Sequence, residues 1–171
     1  MVTAAEKDTA ISCLKHAIED AQETIRAYDT KAEILGILLT LAIGITNFTL
    51  LEHSKGCTKW ILLSSWIVAL VAITVLGLVL HPKKNPFANI AHGNYTPSGT
   101  YFLTNLPSAP QNTVSALTDK AVLTDWVSEL MYENMKLSVI RDHKHRCFTL
   151  ALRLTGFTIL LIVASIIIGA L

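Results

Sequence analysis

Residues 60–80 read WILLSSWIVALVAITVLGLVL, twenty-one residues without a formal charge, set between Lys59 and His81. At about 1.5 Å per residue, a helix of this length is roughly 31 Å long, close to the thickness of a bilayer's hydrocarbon core. Two runs of the same kind flank it. Residues 34–51 lie between Glu33 and Glu52, with Asn47 the most polar member, and residues 154–171 follow Arg153. Each holds 18 residues. A buried helix of a soluble domain rarely reaches that length without a charge, and three such runs in 171 residues make a soluble core improbable. The first run follows 33 charge-rich residues, which sets it apart from the apolar stretch of a signal peptide. The expected fold class is an all-α integral membrane protein with three transmembrane helices.

Composition agrees. Hydrophobic residues make up 51% and charged residues 16%, against about 25% charged in an ordinary soluble domain. A net charge of +1 excludes a nucleic-acid partner held by bulk electrostatics, because such binders carry a large basic excess. Three cysteines without a Cys-x-x-Cys spacing exclude a disulfide framework and a thiolate zinc site.

The positive charges set a direction. Lys7, Lys15, Arg26 and Lys31 precede the first run, and only Lys55 and Lys59 separate the first two. Lys83, Lys84, Lys120, Lys136, Arg141, Lys144, Arg146 and Arg153 lie between the second and third. By the positive-inside rule the N-terminus and the 81–153 segment are cytoplasmic, and the 53–59 loop and the C-terminus are outside. The expected order is therefore a cytoplasmic amphipathic helix over 1–32, span one over 33–52, an outer loop over 53–59 and span two over 60–80. A cytoplasmic Pro-rich connector over 81–117, a cytoplasmic helix over 118–153 and span three over 154–171 complete it.

Ile11, Leu14, Ile18, Ala21, Ile25 and Tyr28 alternate spacings of three and four, the seam of a packed helix pair. No Pro or Gly interrupts residues 4–31, so this helix is expected to continue into the first span. A second helix is expected to start at Thr118 as its cap and to reach the membrane unbroken. Its stripe reads Leu123, Val127, Leu130, Asn134 and Leu137. The two helices would form a cytoplasmic stalk. Pro82, Pro86, Pro97, Pro107 and Pro110 exclude a helix through the connector.

No catalytic motif is present: the chain has no Gly-x-Ser-x-Gly elbow, phosphate-binding glycine loop or His-Glu-x-x-His, and it reads as a non-enzyme. His143 and His145 stand two apart, on different faces of a helix, which does not suit a metal. The basic run around Arg141, Lys144 and Arg146 has two readings. It can meet anionic lipid, worth about 1 kcal/mol per basic residue near the surface. It can instead, with Lys83 and Lys84, receive a phosphate-bearing ligand. Gly36, Thr40 and Gly44 form a small-residue stripe in the first span, suited to packing within the chain or to self-association, with Asn47 adding polarity.

The chain resembles the transmembrane effectors of Pycsar, the pyrimidine cyclase system for antiphage resistance. Asp29-Thr30-Lys31-Ala32 resembles the family's Asp-x-Lys-Ala entry to the first span. Leu80-His81-Pro82-Lys83 is similar to its Leu-x-Pro-basic exit from the second, and Tyr101-Phe102 to its aromatic pair in the connector. Tyr28 departs from the family pattern, where a small residue is common. The resemblance implies an effector in the bacterial inner membrane; a homo-oligomer is expected because several weak ligand sites acting together can supply the differential affinity a switch needs. The resemblance implies no cofactor beyond an activating cyclic CMP or cyclic UMP, made by a partner pyrimidine nucleotide cyclase. Binding would impair the membrane and end infection abortively. Asp29 and Lys31, two apart on one helix, do not face each other, so each is expected to pair with a neighbouring helix. A small channel or holin-like pore without a nucleotide, and a membrane-anchored adaptor, are the alternatives.

Overall fold

The computed structural model describes residues 3–50, 56–81 and 114–170, with side chains for 3–44, 56–81, 115 and 118–169. Four helices, α1 Ala4–Leu50, α2 Cys57–Leu80, α3 Val114–Leu123 and α4 Trp126–Ala170, hold all of these except Thr3, Gly56, His81, Thr124 and Asp125. Most of the Pro-rich connector lies outside the described residues, and with it Pro82, Lys83, Lys84, Tyr101 and Phe102; so does the side chain of Asn47.

α1 begins in a capping box: Thr3 Oγ1 accepts from the Glu6 N–H at 3.3 Å, and Glu6 Oε2 accepts from the Thr3 N–H at 2.7 Å. That backbone bond holds the Glu6 carboxyl below its ordinary range. From there α1 runs unbroken to Leu50.

The second helix departs from expectation. Helix begins at Val114 rather than Thr118, which lies inside α3, and it breaks at Thr124 and Asp125. Thr124 Oγ1 donates to the Lys120 carbonyl at 2.8 Å, closing α3. The Asp125 carbonyl accepts from the Glu129 N–H at 3.0 Å, and its carboxylate accepts from the Ser128 hydroxyl at 2.6 Å, opening α4. Both side chains compete with the helix through local bonds. The break removes Leu123 from its expected stripe and leaves it 86% exposed.

The chain forms two compact units. The first combines Met1–Thr24 with Lys84–Arg141. It buries Ile18 and Ala21 of α1 and Leu130 of α4, as the stripes require, and burial of Ile18 and Leu130 from water stabilises it by roughly 2–3 kcal/mol each. It also buries Glu129, Tyr132 and Glu133.

The second unit combines Ile25–Lys83 with Asp142–Leu171. α2 buries Thr58, Leu62, Ser65, Ala69, Ala72, Leu76 and Val79, alternating spacings of four and three. α4 answers with Ala151, Thr155, Thr158, Ile162 and Ser165, and α1 with Ala32 and Leu39. These are the contact positions of a left-handed coiled bundle. Ala32, Leu76, Val79 and Ala151 share one cluster, and Leu154 packs on Leu39, Ala69 and Ala72 in the next. The order makes α1 and α4 parallel, with α2 antiparallel between them.

The polarity of this bundle is inverted. Ile37, Leu41, Ile67, Leu70, Leu160 and Ile167 are exposed, while alanines and hydroxyls share the interior with Leu39, Leu62, Leu76, Val79 and Ile162. That pattern fits lipid as the solvent, where packing of small residues rather than water exclusion joins helices. Among the described residues two helices, α2 and α4, are long and apolar enough to cross a membrane, against the three expected. The 34–51 run falls on α1 as far as Leu50, but beyond residue 44 its side chains lie outside the described residues.

Candidate functional site

Glu33, His81 and Arg153 bound the charge-free runs, and each lies within two residues of the cluster formed by Ala32, Val79 and Ala151. The runs thus start from one layer of the second unit. On its charged side lies the most interconnected polar cluster of that unit.

Asp29 of α1 accepts from Lys144 Nζ of α4, pairing helices 115 residues apart in sequence. The Lys144 side chain is only 8% exposed and Asp29 33%. One residue along on each helix, the Tyr28 hydroxyl is hydrogen-bonded to His145 Nδ1 at 2.9 Å. The Tyr28 ring lies 5.7 Å from the His145 ring and 5.8 Å from Phe148, centroid to centroid, at tilted angles. Lys31 Nζ stands 6.0 Å from the centre of the same ring. A charge pair and an aromatic stack therefore fasten α1 to α4 at the edge of the apolar layer. A cation buried this far from water depends on its counter-ion.

Of the residues of the family motif, Asp29 finds a neighbouring helix as expected. Lys31 does not: it lies over Tyr28 on its own helix, because position 31 points away from α4. Ala32 is buried where α1, α2 and α4 meet, and a larger side chain there would separate them.

The basic run does not act as one surface. Lys144 is turned inward to Asp29, while Arg146 is exposed and holds no ion pair among the described residues. Arg141 belongs to the first unit and is not free of partners. His143 Nε2 lies 3.7 Å from Cys147 Sγ, and no cluster of three metal-ligating side chains occurs among the described residues. Within the small-residue stripe, Gly36 is half-buried on the core side, where an added Cβ would stand 3.9 Å from Leu76 of α2, whereas Thr40 and Gly44 are exposed.

Tyr28 and His145 escaped the sequence reading as a bonded pair. The missed signal was spacing: Lys144 and Phe148 continue the four-three alternation of Ala151 and Thr155, which turns Lys144 toward the core.

The first unit contains a second charged cluster. Lys136 Nζ donates to Glu133 and lies 4.8 Å from the centre of the Tyr132 ring. Burial pushes the Glu133 carboxyl above its ordinary value, with Glu129 adding to the effect and Lys136 opposing it. Burial, with Glu133 and Glu129 beside it, also raises the Tyr132 hydroxyl.

No characterised protein and no solved structure matches the chain. The family model of the Pycsar effector protein domain matches residues 13–169, through the Asp29–Lys144 clamp and the whole apolar bundle. With an inverted helical bundle that suits a membrane and a match over nearly its full length, the chain belongs to the Pycsar effector family of antiphage defence proteins.

Proposed function

We propose that this protein is an inner-membrane effector that a cyclic pyrimidine nucleotide from a partner cyclase switches to a membrane-damaging state, so that infection is abortive. The observation that carries the reading is the reach of the family match, which spans the charged clamp and the apolar bundle together.

The protein crosses the bilayer three times, with its N-terminus in the cytoplasm. The common layer of Glu33, His81 and Arg153 supports this, because three polar boundaries near one level suit a single membrane surface. The nucleotide's phosphate is received on that side by Arg146, which is exposed and holds no ion pair among the described residues. Lys144 holds the helices through Asp29 and takes no part in binding. Moving a population from 1:99 to 99:1 requires about 5.5 kcal/mol of differential affinity, which several sites in a homo-oligomer can supply together.

Two measurements test this. A membrane-impermeant thiol reagent should label Cys57 in intact spheroplasts and miss Cys13; the reverse pattern ends the topology. Purified protein in liposomes should release dye with cyclic CMP or cyclic UMP and not with cyclic AMP or cyclic GMP. The response should be lost in Arg146→Glu and kept in Lys55→Glu. Constitutive release without nucleotide favours a simple pore. No release, with tight binding of a cytoplasmic protein, favours the adaptor.

A further inference from the structure

The second unit exposes an open groove of about 870 Å³ between α1 and α2. Glu33, Gly36 and Thr40 line it from α1, and Ile73, Gly77 and Leu80 from α2. The opposite side of the unit presents another face. Arg153, Gly156, Leu160, Val163 and Ile167 are exposed on α4, directed away from the core positions Ala151, Thr158 and Ser165.

The two surfaces are complementary in charge, shape and height. Glu33 stands at the mouth of the groove and Arg153 at the foot of the α4 face, and neither holds an ion pair among the described residues. Both sit at the charged edge of the apolar layer, exposed and of opposite sign, where complementary charges on two copies can meet. The pairs Asp29–Lys144 and Leu39–Leu154 align the parallel helices with an offset of about 115 residues. On that offset Gly156 falls within one residue of the level of Thr40 inside the groove, and Arg153 lies about 7.5 Å along the helix axis from Glu33, within reach of the two long side chains. A side chain added at Gly77 or Gly156 would meet nothing within 4 Å in its own copy. Glycine weakens a helix, and its use on an outer face suits close approach by another helix.

The geometry points to a head-to-tail interface between copies of this chain, in which the α1–α2 groove of one receives the α4 face of the next and Glu33 pairs with the neighbour's Arg153. It rests on the membrane reading, since copies inserted in one direction meet at equal heights. The two surfaces differ, so the contact repeats around a ring or along a chain and does not stop at a pair.

The test uses the full chain in native membranes with Cys13, Cys57 and Cys147 replaced by serine. Glu33→Cys with Arg153→Cys in one chain, treated with a short bismaleimide, should give a ladder of dimers, trimers and larger species. Each single variant alone should stay monomeric, and the two co-expressed should yield dimers. Gly156→Leu added to the double variant should remove the ladder while its thermal stability stays unchanged, and Leu63→Ala, outside the groove, should leave the ladder intact. Monomers from the double variant, in a chain that still resists alkaline extraction, would overturn the interface, as would dimers from Glu33→Cys alone. A chain that alkali strips from the bilayer overturns the membrane reading itself and the interface with it.

Discussion

The two ends of α4 solve opposite problems with one helix. In the first unit it buries Leu130 beside two carboxylates, Glu129 and Glu133, and keeps Met131 and Met135 outside. In the second it buries Ala151, Thr158 and Ser165 and exposes Leu152, Phe157 and Leu160. Against water, burying a leucine is a gain and small residues contribute little. Against lipid, an exposed leucine loses nothing, and small residues let backbones approach. The same helix thus carries two burial patterns, one suited to water and one suited to lipid.

Four substitutions break or sharpen this contrast. The largest effect is expected from Leu130→Asp, which removes a fully buried side chain and leaves an unpaired carboxylate in the first unit. A loss of about 4 kcal/mol or more should follow, seen as proteolysis of residues 126–141 while the apolar bundle stays protected. Next, Asp29→Ala strands the Lys144 ammonium, and about 3 kcal/mol of stability should disappear from the second unit. Asp29→Asn with Lys144→Met should recover much of that in a thermal melt in detergent, because no lone charge remains.

A smaller effect concerns Glu133. Its folded carboxyl titrates above its unfolded value, so the folded state holds the proton more tightly between the two. Stability of the first unit is then greater at acid pH and falls as pH rises through the raised value, by at most about 1.4 kcal/mol per pH unit. Glu133→Gln should flatten that slope in chemical denaturation at pH 4 to 8. The smallest change belongs to Thr3→Ala, which opens the capping box. It should only speed amide exchange in the first turn of α1, with the melting temperature unmoved.

Much of this was legible in the sequence. Charge-free length marked the apolar helices, and alternating threes and fours marked Ile18, Ala21 and Leu130 as inward. The end of α3 was hidden because Thr124 and Asp125 read equally well as exposed residues of a long helix. Only their bonds to Lys120 and Ser128 make them a stop and a start. Lys144 looked like surface charge among other basic residues. Its burial depends on Asp29, more than a hundred residues away, and composition carries no trace of that pairing. Glu129 and Glu133 were missed for a related reason: carboxylates are read as solvated unless partners such as Lys136 are seen.

The hydroxyls of the apolar bundle mostly look to their own helix. Thr40 donates to the Gly36 carbonyl at 2.8 Å, Thr74 to Leu70 at 2.8 Å, Ser65 to Leu62 at 2.7 Å, Thr158 to Leu154 at 2.9 Å and Ser165 to Ile162 at 2.7 Å. Each such hydroxyl is satisfied within its own helix before any neighbour arrives, a pattern that suits a helix standing alone in an apolar medium. The same bonds survive when the helices separate, and no polar atom among these five is handed bare to lipid. Beyond the Asp29–Lys144 and Tyr28–His145 contacts at its charged edge, rearrangement of the bundle is then opposed chiefly by side-chain packing, a short-range force that vanishes within a small displacement.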